Sequence, residues 1–253
     1  MTYLTFLLVF LVPPIVALLF LIPRPLHHTL SPRAWWSLPL VAVIAFVYTT
    51  PWDNYLVYRS VWWYGEDRVL GTIGYVPYEE YAFFVLQPIM TGLFLYFLLS
   101  RSGLQPEAQR AGPAVRWVGT VLLATISAVG IALILGPDEG LYMGLILGWA
   151  VPVLALMWLY GGPHIWRYRR AASVAITVPT LYLWVADRTA IRLGIWDISN
   201  VYSFDIDPFG LPIEEATFFL VTNVLVVFGV FLFLHGDQIQ VPLFSKPAPR
   251  QHA

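Results

Sequence analysis

The chain has 253 residues, of which 58% are apolar and only 11% are charged, and its net charge at neutral pH is −1. Its mean hydropathy of +0.70 excludes an ordinary soluble domain, so lipid is the expected surrounding of most of the chain. Because the sequence contains no cysteine, disulfides, thiolate nucleophiles and cysteine metal sites are excluded.

Long apolar runs follow one another along the whole chain, and a transmembrane helix needs roughly 20 such residues. The first run lacks a basic start and a cleavage site, so we interpret it as a helix and not as a signal peptide. The sequence predicts an all-α membrane protein of seven transmembrane helices. Their expected positions are about 2–22, 35–50, 78–100, 114–135, 141–160, 171–190 and 213–235.

Charges are distributed unevenly between the two ends of these helices. One side holds ten of the 14 Lys and Arg residues, and the other side holds 13 of the 15 acidic residues. Basic residues favour the cytoplasmic side of a membrane. We therefore expect a multi-pass protein of the cell membrane, with its N-terminus outside and its C-terminus in the cytoplasm.

Three sequence segments recur in the same order with nearly constant spacing. Offsets of 138, 134 and 135 relate residues 12–20 to 150–158, 48–54 to 182–188, and 77–84 to 212–219. The recurrence predicts two three-helix repeats that enter the membrane in the same direction, joined by a linker helix. The expected divisions are a first repeat at 1–100, a linker at 101–140, a second repeat at 141–235 and a disordered tail at 236–253.

The third recurring segment contains Pro-x-Glu-Glu-x-x-Phe-Phe in both copies. A proline suits the first turn of a helix, and the positive end of the helix dipole favours the glutamates that follow. Residues four apart share a helix face, so each glutamate has an aromatic ring beside it. Ionisable groups at membrane depth are costly and indicate function. The residues concerned are Glu79, Glu80, Phe83 and Phe84, and Glu214, Glu215, Phe218 and Phe219.

An aspartate precedes each of these motifs, at the outer end of the preceding apolar run. Asp53 either caps a loop or joins a cluster of carboxyl groups. Asp187 either pairs with Arg188 or Arg192 or joins the same cluster. The other outer acidic residues lie among Gly, Ser and Pro in loops, where we expect them to be solvated.

Pro51-Trp52-Asp53-Asn54 followed by the doubled glutamate motif resembles the membrane-integral lycopene cyclase family. Some bacteria and archaea build that family from two small subunits, and fungi fuse it to phytoene synthase. This chain resembles both subunits joined, over roughly residues 1–235. The second half departs from the pattern, because it has Val-Ala-Asp187-Arg188 where the first has Pro-Trp-Asp-Asn.

The resemblance implies acid-catalysed cyclisation of the linear ends of lycopene, or of a related linear carotenoid, to β-ionone rings. The expected catalytic groups are one of Glu79 and Glu80 and one of Glu214 and Glu215, as acid and base in either order, with Asp53 as partner. Aromatic faces would stabilise the carbocation. The expected substrate-binding residues are Trp52, Asn54, Phe83, Phe84, Asp187, Phe218 and Phe219.

No cofactor, metal or nucleic-acid partner is expected, since no dinucleotide fingerprint, paired Asp-rich motif or histidine ligand spacing occurs. Membrane lipid and a homo-oligomer are possible partners. Two other functions stay open. A carotenoid hydratase would share the protonation step, and a small-solute transporter is also built from parallel three-helix repeats.

Overall fold

The computed structural model describes residues 1–23, 30, 32–101 and 112–239, and this part of the chain is mainly helical. Six helical stretches within it are long and apolar enough to cross a membrane, which confirms the predicted all-α membrane class. The α-helices are α1 (Tyr3–Phe10), α2 (Val12–Leu21), α3 (Ala34–Tyr58), α4 (Tyr78–Ser100), α5 (Pro113–Ile134), α6 (Leu141–Arg167), α7 (Arg169–Arg192) and α8 (Ile213–Leu234).

The predicted helix at 171–190 corresponds to α7, which is 24 residues long but is not among the six apolar stretches. Arg169 and Arg170 begin it, and Asp187, Arg188 and Arg192 lie near its end. These charges lower its hydropathy although its length is sufficient for a membrane span.

Two helix boundaries differ from the predicted ones. The first apolar run is interrupted at Leu11 because Pro13 and Pro14 follow, and Pro14 has no N–H to offer to the carbonyl of Phe10. The Tyr182 hydroxyl donates to that carbonyl instead, at 2.8 Å. The second helix, expected to end near residue 50, continues to Tyr58, since helices in membrane proteins tolerate internal prolines.

The helices α4 and α8 form the centre of the bundle, and α5 lies at its edge. In the most apolar window of each helix, 56% of the residues of α4 and of α8 are buried, against 11% in α5. The helix α5 packs against α6, where a Cβ on Gly144 would lie 2.9 Å from the Gly130 carbonyl oxygen. Small residues allow two helices to approach this closely.

Buried polar side chains link α4, α8 and α7 at mid-bundle. The Gln87 amide donates to Asn223 Oδ1 at 2.8 Å, and the Thr91 hydroxyl donates to the same oxygen at 2.6 Å. The Asn223 amide in turn donates to Thr180 Oγ1 at 3.0 Å. Each of these polar groups therefore has a partner inside the apolar bundle.

Short strands, which the all-helical prediction did not include, lie at one end of the bundle. The strand β1 (Trp62–Tyr64) pairs antiparallel with β4 (Trp196–Ile198), so that Trp63 lies opposite Asp197. The strands β2 (Thr72–Ile73) and β3 (Val76–Pro77) form a small hairpin before α4.

The expected disordered tail begins with a short 3-10 helix at Gly236–Gln238. Asp237 forms an exposed ion pair with Arg33, with an N–O distance of 3.1 Å. The remainder of that predicted tail, 240–253, lies outside the described residues, as do 102–111 of the predicted linker.

Candidate active site

The two Glu-Glu pairs lie in the first turns of α4 and α8, as the sequence predicts. Pro77 and Pro212 occupy the position just before each helix, one residue earlier than expected. Their missing N–H costs nothing at a helix start, where the first donors have no partner within the helix.

A small pocket of about 50 Å³, here called the acidic pocket, lies where α4 and α8 begin. Four carboxylic acids line it together with aromatic rings, and these residues come from six helices and from both strands of the β1–β4 pair. The lining residues are Tyr3, Phe6, Asp53, Trp62, Tyr64, Glu80, Phe83, Tyr142, Asp187, Trp196, Ile198, Glu215, Phe218 and Phe219.

Glu80 enters this pocket from α4 and accepts two hydrogen bonds from phenols. Tyr3 and Tyr64 donate to its Oε2, at 2.7 Å and 3.1 Å. Burial, followed by the charge of Glu80, raises the pKa of the Tyr64 phenol well above its ordinary value. Tyr64 therefore stays protonated at neutral pH and remains a donor.

Glu215 enters the same pocket from α8 and accepts a hydrogen bond from the buried Tyr142 phenol. Asp187 accepts from the Trp196 indole at 3.0 Å through Oδ1. Asp53 and Asp187 are 2% and 1% exposed, and each has an Oδ2 without a protein partner in the described part of the chain. The sequence left open whether Asp53 caps a loop or joins a cluster of carboxyl groups. In the structure it lies inside α3 and faces the pocket.

Among the described residues, none of those that line the acidic pocket is Lys or Arg. Carboxylates close together in a poorly solvated site repel one another, so Asp53, Glu80, Asp187 and Glu215 cannot all be ionised at once. At least one of them therefore carries a proton, which makes the pocket a proton source. The described residues contain no cluster of acidic and histidine side chains with the arrangement of a metal site.

The first glutamate of each pair does not line the pocket. Glu79 accepts from the backbone N–H of Leu70 at 2.9 Å, and Glu214 accepts from that of Phe204 at the same distance. Each glutamate therefore stabilises the loop that precedes its helix. The structure therefore separates Glu79 and Glu214 from Glu80 and Glu215, which the sequence did not distinguish.

The predicted aromatic residues occupy three different places. Phe83, Phe218 and Phe219 line the acidic pocket. Trp52 lies behind Phe218, with the two rings 5.6 Å apart and nearly parallel. Phe84 borders a separate apolar cavity.

Asn54 holds the β2–β3 turn and is absent from the pocket lining. Its Oδ1 accepts from the Tyr75 N–H at 3.0 Å, and its amide donates to the Tyr81 hydroxyl at 3.1 Å. Gly74 has a φ of +66°, and a Cβ there would lie 2.5 Å from Asn54 Oδ1. Glycine is therefore required at this turn.

Sequence reasoning missed the three tyrosines that bind the glutamates. Tyr3 and Tyr142 are 139 residues apart, so the match of the first recurring segment pairs them only if it is extended toward the N-terminus with a shift of one residue. No pattern in the sequence indicated Tyr64, because the corresponding residue at an offset of 134 is Ile198.

Comparison with known proteins gives close relatives of one kind. The chain is 42% identical to the lycopene beta-cyclases of two strains of Halobacterium salinarum over 92% of its length, and it covers 95% of those proteins. It is 36% identical to the bifunctional lycopene cyclase/phytoene synthase of Podospora anserina over 92% of its own length and 40% of that protein. No family model matches the chain, and no solved structure does.

Proposed function

Because this chain belongs to the lycopene beta-cyclase family, we propose that it cyclises the linear end groups of lycopene to β-ionone rings in carotenoid biosynthesis. One observation supports this most directly. Acidic residues from both halves of the chain, Asp53, Glu80, Asp187 and Glu215, line a single pocket whose other residues are mostly aromatic. Such a pocket combines a proton source, a proton acceptor and aromatic faces.

The reaction is an isomerisation, so protons balance and no redox cofactor is consumed. A carboxylic acid protonates the terminal double bond and leaves a tertiary carbocation. The next double bond of the chain attacks that cation and closes the six-membered ring. A carboxylate then removes a proton from the ring, which creates the ring double bond.

We assign the two proton-transfer roles to Glu80 and Glu215. Two phenols donate to Glu80 and one donates to Glu215. Because hydrogen bonds stabilise the charged form, we assign Glu80 as the ionised carboxylate that accepts the proton and Glu215 as the protonated acid that donates it. Asp53 and Asp187 line the same pocket, and in this proposal they return the proton from Glu80 to Glu215 after each cycle.

The carbocation is stabilised by aromatic rings in this assignment. Phe83 and Phe219 meet edge to face with ring centroids 6.1 Å apart, and Phe218 lies next to Phe219 at 5.3 Å. The faces of such rings attract positive charge, most strongly where water is excluded. Trp52 stacks on Phe218 from behind and fixes its orientation.

The division into parallel repeats at 1–100 and 141–235, with a linker at 101–140 and α7 as a seventh transmembrane helix, is also part of the proposal. Glu80 and Glu215 reach the same pocket from the starts of α4 and α8, so the two helices begin at the same end of the bundle. The loop contacts of Glu79 and Glu214 match at offsets of 134 and 135. The pairing of β1 with β4 is centred on Trp63 and Asp197, as expected for two related strands about a two-fold axis.

The charge distribution supports an acidic pocket at the outer face of the cell membrane, with the N-terminus outside. The absence of native cysteine makes this testable by single-cysteine labelling with a membrane-impermeant maleimide. In intact cells, Asp67→Cys should react and Gly112→Cys should react only after lysis. The reverse pattern would contradict the orientation.

Expression of the chain in bacteria that accumulate lycopene tests the activity itself. Pigment analysis should show lycopene replaced by carotenes with β-ionone rings. Hydroxylated linear products would indicate a hydratase instead. Unchanged lycopene, with the protein present in the membrane, would contradict both carotenoid functions.

A further inference from the structure

A second cavity adjoins the acidic pocket and has no role in the chemistry described so far. It measures about 310 Å³ and lies between α3, α4, α6 and α8. Phe83 and Phe218 line both spaces, so the two adjoin each other at these rings. Its other lining residues include Val41, Ala45, Val153, Met157, Leu225 and Gly229.

The dimensions and chemistry of this cavity suit a long apolar chain. Its lining extends along α8 from Phe218 to Phe233, about 22 Å at 1.5 Å per helical residue. The polar lining residue Gln87 directs its amide to Asn223, and the Thr222 hydroxyl donates to the Phe218 carbonyl. Ligand pockets usually have volumes of about 300–1,000 Å³ and mostly apolar walls.

The cavity borders the lipid-facing side of α3. Ile44 and Tyr48 line it and are 46% and 40% exposed. Tyr48 stacks on Trp149 with ring centroids 5.3 Å apart and donates to the Trp149 carbonyl at 3.0 Å, which joins α3 to α6 at this edge. Exposed residues of α3 thus form one wall of the cavity, so this wall is its side nearest to lipid.

The other half of the chain has larger side chains at the corresponding positions. At offsets of 134 and 135, Ala45 corresponds to Pro179 and Gly229 to Phe94. A Cβ on Gly229 would lie 3.3 Å from Val41 Cγ2, so a larger side chain there would extend into the cavity. The space thus depends on small residues that occur in one half only.

We propose that this cavity binds the conjugated polyene chain of the linear carotenoid, with one end group in the acidic pocket and the remainder entering from lipid between α3 and α6. The proposal rests on the proposed function. The acidic pocket of about 50 Å³ is too small to hold the polyene chain as well as an end group, so the rest of the substrate needs another space. The cavity that shares Phe83 and Phe218 supplies it.

Three phenylalanine substitutions, two in the cavity and one control, test this inference by pigment conversion. Ala45→Phe fills the proposed cavity, and Gly229→Phe introduces the residue found at position 94. Ala114→Phe places the same ring in a separate apolar cavity of about 470 Å³ bordered by α5, α6 and α8. The first two variants should convert lycopene at least about tenfold more slowly, because a displaced substrate no longer presents its end group to the acid. Ala114→Phe should match the unmodified chain.

The outcomes separate this inference from the proposed function. If the unmodified chain leaves lycopene unchanged, the cyclase proposal fails. If it converts lycopene and the Ala45→Phe and Gly229→Phe proteins, present at equal levels, do so equally fast, the polyene lies elsewhere and the inference fails. Equal loss in Ala114→Phe would also overturn it, because the effect would not depend on this cavity.

A binding measurement separates loss of substrate binding from loss of catalysis. The Glu80→Gln, Glu215→Gln double variant, purified in mild detergent from lycopene-accumulating cells, should carry lycopene that absorbs in the visible range. Addition of Gly229→Phe should remove that pigment, and addition of Ala114→Phe should not. Retention of pigment in the Gly229→Phe protein, or recovery of lipid acyl chains alone in the double variant, would contradict the inference.

Discussion

The two sides of the acidic pocket are alike in their carboxyl groups and different in their donors. Glu80 and Glu215 occupy matching places at the starts of α4 and α8, with Asp53 and Asp187 beside them. Glu80 accepts from two phenols, whereas one phenol donates to Glu215. The difference arises in the strands, where β1 has Tyr64 and β4 has Ile198.

This comparison shows how two similar carboxyl groups can acquire opposite roles. An acid and a base must differ in protonation at the same pH, and their environments set that difference. In the proposed assignment, one additional phenol on the Glu80 side of the pocket provides it. Another difference between the halves lies outside the pocket, at Asn54, whose counterpart at an offset of 134 is Arg188.

Removal of either pocket glutamate should have the largest effect. Glu80→Gln and Glu215→Gln should each lower the rate of lycopene cyclisation by about 100-fold or more, since neither can exchange a proton any longer. Glu79→Gln and Glu214→Gln are the matched controls, because their amide oxygens can still accept from Leu70 and Phe204. Pigment turnover in isolated membranes measures the rates. Equal losses in all four variants would mean that the two glutamates of each pair are not functionally distinct.

Removal of single phenols should affect opposite limbs of the pH–rate profile. Tyr142→Phe and Tyr64→Phe each remove a hydrogen bond to a carboxyl group, worth about 1.5–3 kcal/mol when the partner is charged. Tyr64→Phe should have the smaller effect, about tenfold in rate, because Tyr3 still donates to Glu80.

The direction of each shift follows from the assigned roles. Without Tyr64, the base Glu80 gains its proton more readily, so the acidic limb should move to higher pH. Without Tyr142, the acid Glu215 holds its proton more firmly, so the alkaline limb should move to higher pH. Rates measured between pH 5 and pH 9 test both shifts. If Tyr64→Phe moved the alkaline limb and Tyr142→Phe moved the acidic limb, Glu80 would be the acid and Glu215 the base.

The buried polar network around Asn223 should lose more stability when Asn223 is replaced than when Gln87 is replaced. Asn223→Ala leaves Gln87 and Thr91 without their acceptor and should lower the stability by about 1–3 kcal/mol. Gln87→Ala leaves Asn223 bonded to Thr91 and Thr180, so its cost should be smaller. Thermal unfolding in detergent compares the two. A greater loss for Gln87→Ala would show that Asn223 is not the centre of this network.

Asn54 should show the smallest effect on activity. Asn54→Ala removes the acceptor for the Tyr75 N–H and should cost about 1 kcal/mol of stability with less than a threefold change in rate. Trp52→Ala is the comparison in the same motif, because Trp52 supports a ring of the acidic pocket. A loss of activity in Asn54→Ala as large as that of Glu80→Gln would place Asn54 in contact with substrate.

The sequence by itself determined the class of the fold and the residue types of the site. Apolar runs of membrane length predict helices wherever they occur, because lipid offers the backbone no hydrogen-bond partners. The proline and glutamate residues marked the starts of α4 and α8 because their preferences are local. The recurring offsets paired Glu80 with Glu215 before any contact between them was visible.

Only the tertiary structure decided which carboxyl groups meet. Glu79 and Glu80 are neighbours in sequence, but they point about 100° apart on the helix, toward a loop N–H in one case and toward the pocket in the other. Tyr3, Tyr64 and Tyr142 reach the pocket from α1, β1 and α6, and their positions depend on how distant segments pack. Neither a local preference nor a helical periodicity contains that information.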